Sequence, residues 1–205
     1  MNYNDIYYMA IPSGEGQEVM VGFSDENTYD TTEFDRYEPI ACYEMLIIDV
    51  EQLALPQFPV VDHYQLTEHV FSKRLKDTLH ALDINGIQFF EAEIHHEGKV
   101  YSDYYAMNAY HRIECMDRKQ SEFEADYDED IDHTTYDIDK LVLDQKVLDA
   151  IPEKHRLIFV LKEKAKFILY HEKVVAAIQA LQPKPVGVNF VPLSAWWVGS
   201  AFDGD

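Results

Sequence analysis

Positive charge is what this sequence has least of. Lys and Arg together number 17 against 38 Asp and Glu, for a net charge of −21. Such a chain repels the phosphates of nucleic acid and of anionic lipid headgroups, so neither is expected as a direct partner. A basic protein suits the charge, and so does a plainer reading in which acidity serves only solubility. Cysteine is nearly absent, with Cys42 and Cys115 alone. Two cysteines build neither a disulfide framework nor a zinc pattern, which points to reduced thiols in a cytoplasmic protein. Long apolar runs are missing too. Stretches such as residues 157–161 fall far short of the about 20 residues that a membrane span needs. The opening MNYNDIYYMAIPSG has no basic start and no apolar core, so no secretory leader is expected.

Catalytic and metal-binding patterns are equally thin. His95 and His96 are adjacent in a turn and point apart, His63 and His69 lack helical spacing, and no His-Glu-x-x-His occurs. His111 falls on an apolar strand face and reads as a satisfied core histidine. Cys115 lies about 13 Å along the same face, too far for His111 to activate it. Asp126, Asp128 and Asp130 have the alternate spacing of a calcium loop. The required Gly and Glu are replaced by Ile131 and Asp137, so no calcium site is expected. Carboxylates are so abundant that no acid–base pair stands out. The residues therefore imply no cofactor, no metal and no enzyme.

What is present is a chain of 205 residues with 47% hydrophobic content, enough to bury about 70% of its unfolded surface as one domain. Residues 5–11 and 18–23 alternate around a Pro/Gly turn and read as a hairpin. Residues 24–38 are acidic and read as a loop; residues 42–50 read as a buried strand. Residues 72–82 form a helix with Ser72 as N-cap and Phe71, Leu75, Leu79 and Leu82 as its apolar stripe, leaving Arg74 in water. A strand over 87–94 follows. Residues 100–121 then read as one long strand. Tyr105, Met107, Ala109, Ile113 and Cys115 lie on its core face, with Arg112 and Glu114 paired on the other.

The helical unit recurs. Residues 71–82 align without gaps on 170–181, so Leu75, Leu79 and Leu82 fall on Val174, Ile178 and Leu181. After a connector, Gly86-Ile87-Gln88-Phe89 matches Gly187-Val188-Asn189-Phe190. The fold class expected is α+β, mainly antiparallel sheet with a few packed helices and this helix–turn–strand unit used twice. Residues 1–62 would be a β-rich N-terminal lobe, 63–193 the region of the repeat, and 194–205 a tail.

Asn108, Arg112, Cys115-Met116-Asp117 and Ser121 form a signature that resembles the centre of a large bacterial immunity-protein family of polymorphic-toxin and contact-dependent systems, first catalogued as a domain of unknown function. The order of elements follows that family from Leu66 to Leu193. His171 departs from it, standing where similar proteins often carry a capping Ser. The resemblance implies neutralisation of a cognate toxin by protein contact, with the toxin's active site covered. The acidic residues Glu122, Glu124, Asp126, Asp128, Glu129, Asp130 and Asp132, read as a mobile solvated loop, and the pair Trp196-Trp197 are the expected partner-binding surface, facing a basic toxin. The alternatives are a non-enzymatic adaptor or, further off, an enzyme with an unrecognised site. The sequence leaves a homo-oligomer open.

Overall fold

Period-two alternation of apolar residues makes strands that bury one or both faces, and two 3.6-period stripes make helices that must share a core. A computed structural model describes residues 2–65, 69–128 and 133–199. In chain order they form α1 (Tyr3–Ile6), β1 (Tyr7–Pro12), β2 (Val19–Phe23), β3 (Leu46–Leu53), β4 (His63–Gln65), β5 (His69–Ser72) and α2 (Lys73–Ala81). Then come β6 (Ile87–His96), β7 (Lys99–Ala109), β8 (Arg112–Ile113), β9 (Glu122–Asp128) and β10 (His133–Lys140). The chain continues through α3 (Gln145–Asp149), β11 (Ile158–Leu161), β12 (Ile168–His171), α4 (Glu172–Gln179) and β13 (Val188–Pro192). A six-stranded sheet has the order β2-β3-β6-β7-β5-β4, a five-stranded sheet the order β13-β1-β12-β11-β8, and β9 pairs with β10 alone. Pairing is antiparallel except between β3 and β6 and between β8 and β11. The class is α+β, as the alternation implies.

The repeat has a topological meaning. β5 leads into α2, and β6 returns beside β5 with β7 antiparallel between them. β12 leads into α4, and β13 returns beside β12 with β1 antiparallel between them. Each is a split β–α–β unit. Gly86 and Gly187, matched in sequence, take φ of +88° and +87°, a region open to glycine. Neither has room for a side chain, since a Cβ would lie 2.2 Å from Cβ of His111 in one case and 2.6 Å from the His63 carbonyl in the other.

Both helices bury their stripes in one central layer. Leu75, Leu79, Val174 and Ile178 join Phe71, Met107 and Ala109 from the six-stranded sheet and Ile158, Val160 and Tyr170 from the five-stranded sheet. The outer face of the six-stranded sheet carries a second cluster, including Ile48, Tyr64, Phe90 and Tyr104. The outer face of the five-stranded sheet carries a third, including Tyr7, Phe159, Leu161, Leu169 and Trp196.

Four expectations need correction. The N-terminal hairpin does not form, because β1 is drawn between β12 and β13 while β2 pairs with β3 in the other sheet. The long strand over 100–121 is broken, because the N–H groups of Tyr110 and His111 turn to the Gly86 carbonyl at 2.8 and 3.2 Å. β7 thus belongs to one sheet and β8 to the other, and both faces of β7 are buried, Tyr104 and Ala106 as well as Met107 and Ala109. Ser72 does not cap α2. Its hydroxyl donates to Asp62 Oδ1 at 2.8 Å, and Arg74, far from idle in water, forms a two-pronged ion pair with the same carboxylate. Val186 N–H donates to Asp62 Oδ2 at 2.9 Å, and Arg74 also reaches the Pro183 carbonyl at 2.6 Å, so the pair clips the first unit to the connector of the second. Burial alone would raise the Asp62 pKa. The bonds from Arg74, Val186 and Ser72 outweigh it and hold the carboxyl below its ordinary value.

The shared layer sets the stability of both units. Leu75 is 0% exposed and Ile178 1%. Leu75→Ala and Ile178→Ala should each lower unfolding free energy by about 2–5 kcal/mol. Urea denaturation measures this, and a loss below about 1 kcal/mol at both positions would contradict the packing.

Candidate partner-binding surface

Residues 122–140 hold the densest negative charge, and the described parts, 122–128 and 133–140, are strands rather than the solvated loop that their composition implies. β9 and β10 pair in register from Asp128↔His133 to Phe123↔Ile138, and past a bulge at Asp139 Glu122 faces Lys140. The reason is alternation. Phe123, Ala125 and Tyr127 on β9 share one face with Tyr136 and Ile138 on β10, and Phe123, Tyr136 and Ile138 pack against the outer cluster of the five-stranded sheet. Phe123 and Tyr136 meet edge to face at 5.7 Å.

The other face is acidic. Glu122, Glu124 and Asp126 are exposed on β9, with Asp137 directly opposite Glu124. Like charges across a ladder oppose pairing. Lys164 relieves this by donating to Asp137 Oδ1 at 2.8 Å, which holds the Asp137 carboxyl below its usual pKa. Lys140 lies 3.6 Å from Glu122. Glu129, Asp130 and Asp132, like the calcium position Ile131, lie outside the described residues, as does the side chain of Asp128. Among the described residues no group of three or more His, Cys, Asp or Glu side chains converges as a metal site would require.

The two tryptophans divide. Trp196 is 8% exposed and sits edge-on to Phe167 at 5.2 Å, inside the core. Trp197 is 48% exposed, and its ring lies against Gly199. Val198, also exposed, donates its N–H to the Asp139 carbonyl at 3.1 Å, which ties the tail to the base of the hairpin. The structure therefore brings Trp197 and Val198 to the acidic hairpin. It does not bring the acidic segment 24–38 there. That segment is seated on the other sheet by Phe34, which packs on Phe23 and Phe90, and by Asn27, which bonds both the N–H and the carbonyl of Ile47.

The signature residues turn out to hold joints. Asn108 donates to the Glu38 carbonyl at 2.8 Å. Arg112 is not paired with Glu114. It donates to the Lys162 carbonyl at 3.0 Å and lies over the Tyr37 ring, while Glu114 accepts from Lys162 at 2.9 Å. The Cys115 carbonyl accepts from Asp144, Met116 N–H donates to Glu163, and Asp117 closes a turn onto Lys119 and Gln120. Ser121 both donates to and accepts from Val142. Burial pushes the Cys115 thiol far above its normal pKa, so it is no nucleophile. His111 is half-buried with its Nε2 lacking any hydrogen-bond partner among the described residues, which corrects its reading as satisfied.

Two clefts complete the surface. One, of about 560 Å³, lies between α2 and β6 and is lined by Leu79, His80, Ile87, Gln88 and Phe89. The other, of about 430 Å³, lies between α4 and β13 and is lined by Ile178, Gln179, Val188, Asn189 and Phe190. These residues match one for one in the repeat, so the two clefts occupy equivalent places in the duplicated architecture.

Residues 51–195 match the model of the immunity protein family Imm11. The chain belongs to this family. No curated protein matches it. The Imm11 match spans β4 to β13, both split units and the whole hairpin, and it ends within the turn that carries Trp196. An immunity role follows from membership. No helix among the described residues is long and apolar enough to cross a membrane.

The different settings of the two tryptophans separate stability from contact. Trp196→Ala should lower unfolding free energy by about 3–5 kcal/mol. Trp197→Ala should cost under half as much. Equal losses in a urea titration would contradict the assignment of Trp196 to the core.

Proposed function

We propose that this Imm11 protein neutralises a cognate toxin by stoichiometric contact, covering the toxin's active site with the acidic face of the β9–β10 hairpin and the adjoining tail. The observation that carries the reading is the pairing of the hairpin. Its apolar side is anchored on the core, so its carboxylates are presented on a fixed ladder. A preordered surface binds with less loss of conformational freedom than a mobile loop. Glu122, Glu124 and Asp126 supply the negative face described in the structure. Asp128, Glu129, Asp130 and Asp132 extend it by sequence, and Trp197 offers an aromatic anchor beside it. The partner is a basic protein, and the charge product speeds encounter toward about 10⁸–10⁹ M⁻¹s⁻¹ at low salt.

An interface of ordinary size buries about 1,600 Å², more than one hairpin face supplies. Trp197 and Val198 add to it. Trp196, expected with them as a contact, acts here by holding the tail in place. The chain works as one unit over residues 1–205, because the helices of both split units fill a single layer. It acts in the cytoplasm, where two buried thiols stay reduced. No turnover is part of this reading, and the structural joints made by the signature residues support it.

The test is a triple variant, Glu122→Gln, Glu124→Gln and Asp126→Asn. All three side chains are exposed, so folding should be unchanged. Stopped-flow association with the toxin should slow about tenfold or more at low salt and lose most of its salt dependence. An unchanged rate and salt slope would remove the hairpin from the interface. Protection of cells at substoichiometric protein would point to turnover instead of binding.

A further inference from the structure

His63 and His69 lack any motif spacing, yet β4 and β5 set them face to face. His63 Nε2 and His69 Nδ1 are 2.9 Å apart, and the Tyr170 hydroxyl is 3.2 Å from the same His69 nitrogen. The two imidazoles come from the six-stranded sheet and Tyr170 from β12 of the five-stranded sheet. His63 and Tyr170 are fully buried and His69 is 4% exposed. This chain of three polar groups crosses the central apolar layer. Phe71 stacks on the His63 ring at 4.9 Å, and Tyr170 is flanked by Phe190 at 5.6 Å.

We propose that the His63–His69–Tyr170 chain is an acid-sensitive latch between the two sheets, closed while both imidazoles are neutral and released when they take up protons.

The chemistry of the contact leads there. One of the two facing nitrogens must carry the proton and the other must offer a lone pair. A first added proton places an uncompensated cation in an apolar layer. A second sets N–H against N–H and destroys the bond. Among the described residues nothing nearby offsets the charge. From β12 the rings meet only the neutral Tyr170 phenol, and from the residue before β13 only the Gly187 backbone. α2 and α4 present Leu75, Leu79, Val174 and Ile178 to the layer. Asp62, next to His63 in the chain, is committed to Arg74, Ser72 and Val186. His171 lies on the other side of β12, against Tyr7 and near Glu153 and Arg156. Glu68 lies outside the described residues.

Burial lowers the pKa of His63 to about 4, and the same burial, with His63 beside it, holds His69 well below the ordinary imidazole value. The folded pKa is depressed, so this stabilisation is complete above about pH 6.5 and is lost as pH falls toward about 4. His63 alone then raises the unfolding constant about thirtyfold between pH 8 and pH 5. The mutual repulsion of the 38 carboxylates acts in the opposite sense, because acidification toward the sequence pI of about 4.6 relieves it. Ion-paired carboxylates such as Asp62 and Asp137, held below their ordinary values, give up their stabilisation mainly below about pH 5. A loss of stability in mild acid therefore cannot come from net charge.

Urea unfolding at pH 8 and pH 5 tests the latch, comparing the intact protein with the double variant His63→Phe, His69→Phe. The intact protein should lose at least about thirtyfold more in its folding constant on acidification than the variant does. The same pH dependence in both would overturn the proposal. If the variant fails to fold, NMR of the native protein decides, since nine histidines give resolvable ring signals. His63 and His69, recognised by the contact between their rings, should both stay neutral from about pH 8 to about pH 5 while the chain is folded. Titration of either near about pH 6.5 would overturn it.

Discussion

Everything in this molecule depends on one apolar layer filled from both sides. Two amphipathic helices of eight or nine residues are too short to be stable alone, so each needs a sheet to cover its stripe. Here they share a single layer between two sheets, and each sheet has a second buried face beyond it. The arrangement makes four kinds of boundary depend on each other: helix to own sheet, helix to helix, sheet to sheet, and outer face to covering loop. The Asp62–Arg74 clip and the histidine chain are two of the polar connections across this assembly, one at its edge and one at its centre. Their value differs. The clip holds charges that answer each other, with Arg74 partly in water, whereas the imidazoles must stay neutral to remain where they are.

The parts legible in the sequence are those governed by local periodicity. The stripes at Leu75, Leu79, Val174 and Ile178 are buried, and the matched glycines after each helix share a backbone conformation. Properties that depend on distant partners were not legible. The N-terminal alternation marks two strands correctly, but their separation into different sheets is decided by β12 and β13, far along the chain. The break after Ala109 is decided by the Gly86 carbonyl. His63 and His69 meet only because β4 and β5 pair tightly, although period-two strands on either side of a short connection could have placed them on one face. The second helix shows the same lesson at one residue. His171, where similar proteins often carry a capping Ser, accepts the Lys173 N–H at 3.2 Å and so performs the cap that Ser72 leaves undone in the first.

The acidic segment shows how composition can mislead about order while being right about charge. Its net charge argues for a solvated coil. Its alternation, read residue by residue, seats Phe123, Tyr136 and Ile138 on the core and turns the carboxylates outward. A ladder of like charges needs cations to tolerate it, and Lys164 and Lys140 are placed for that task. The signature residues that carry the family likeness precede this hairpin and make structural joints, Asp117 and Ser121 at its base and Asn108 and Arg112 further back. They belong to the frame, and the proposed toxin-facing surface stands on it.

Hydrogen–deuterium exchange of the protein, alone and saturated with the toxin it protects against, tests that division most directly. The account predicts new protection of backbone amides in β9, β10 and residues 194–199, with the outer face of the six-stranded sheet and the segment 24–38 unchanged. Protection confined to segment 24–38, with the hairpin exchanging as it does in the free protein, would contradict it.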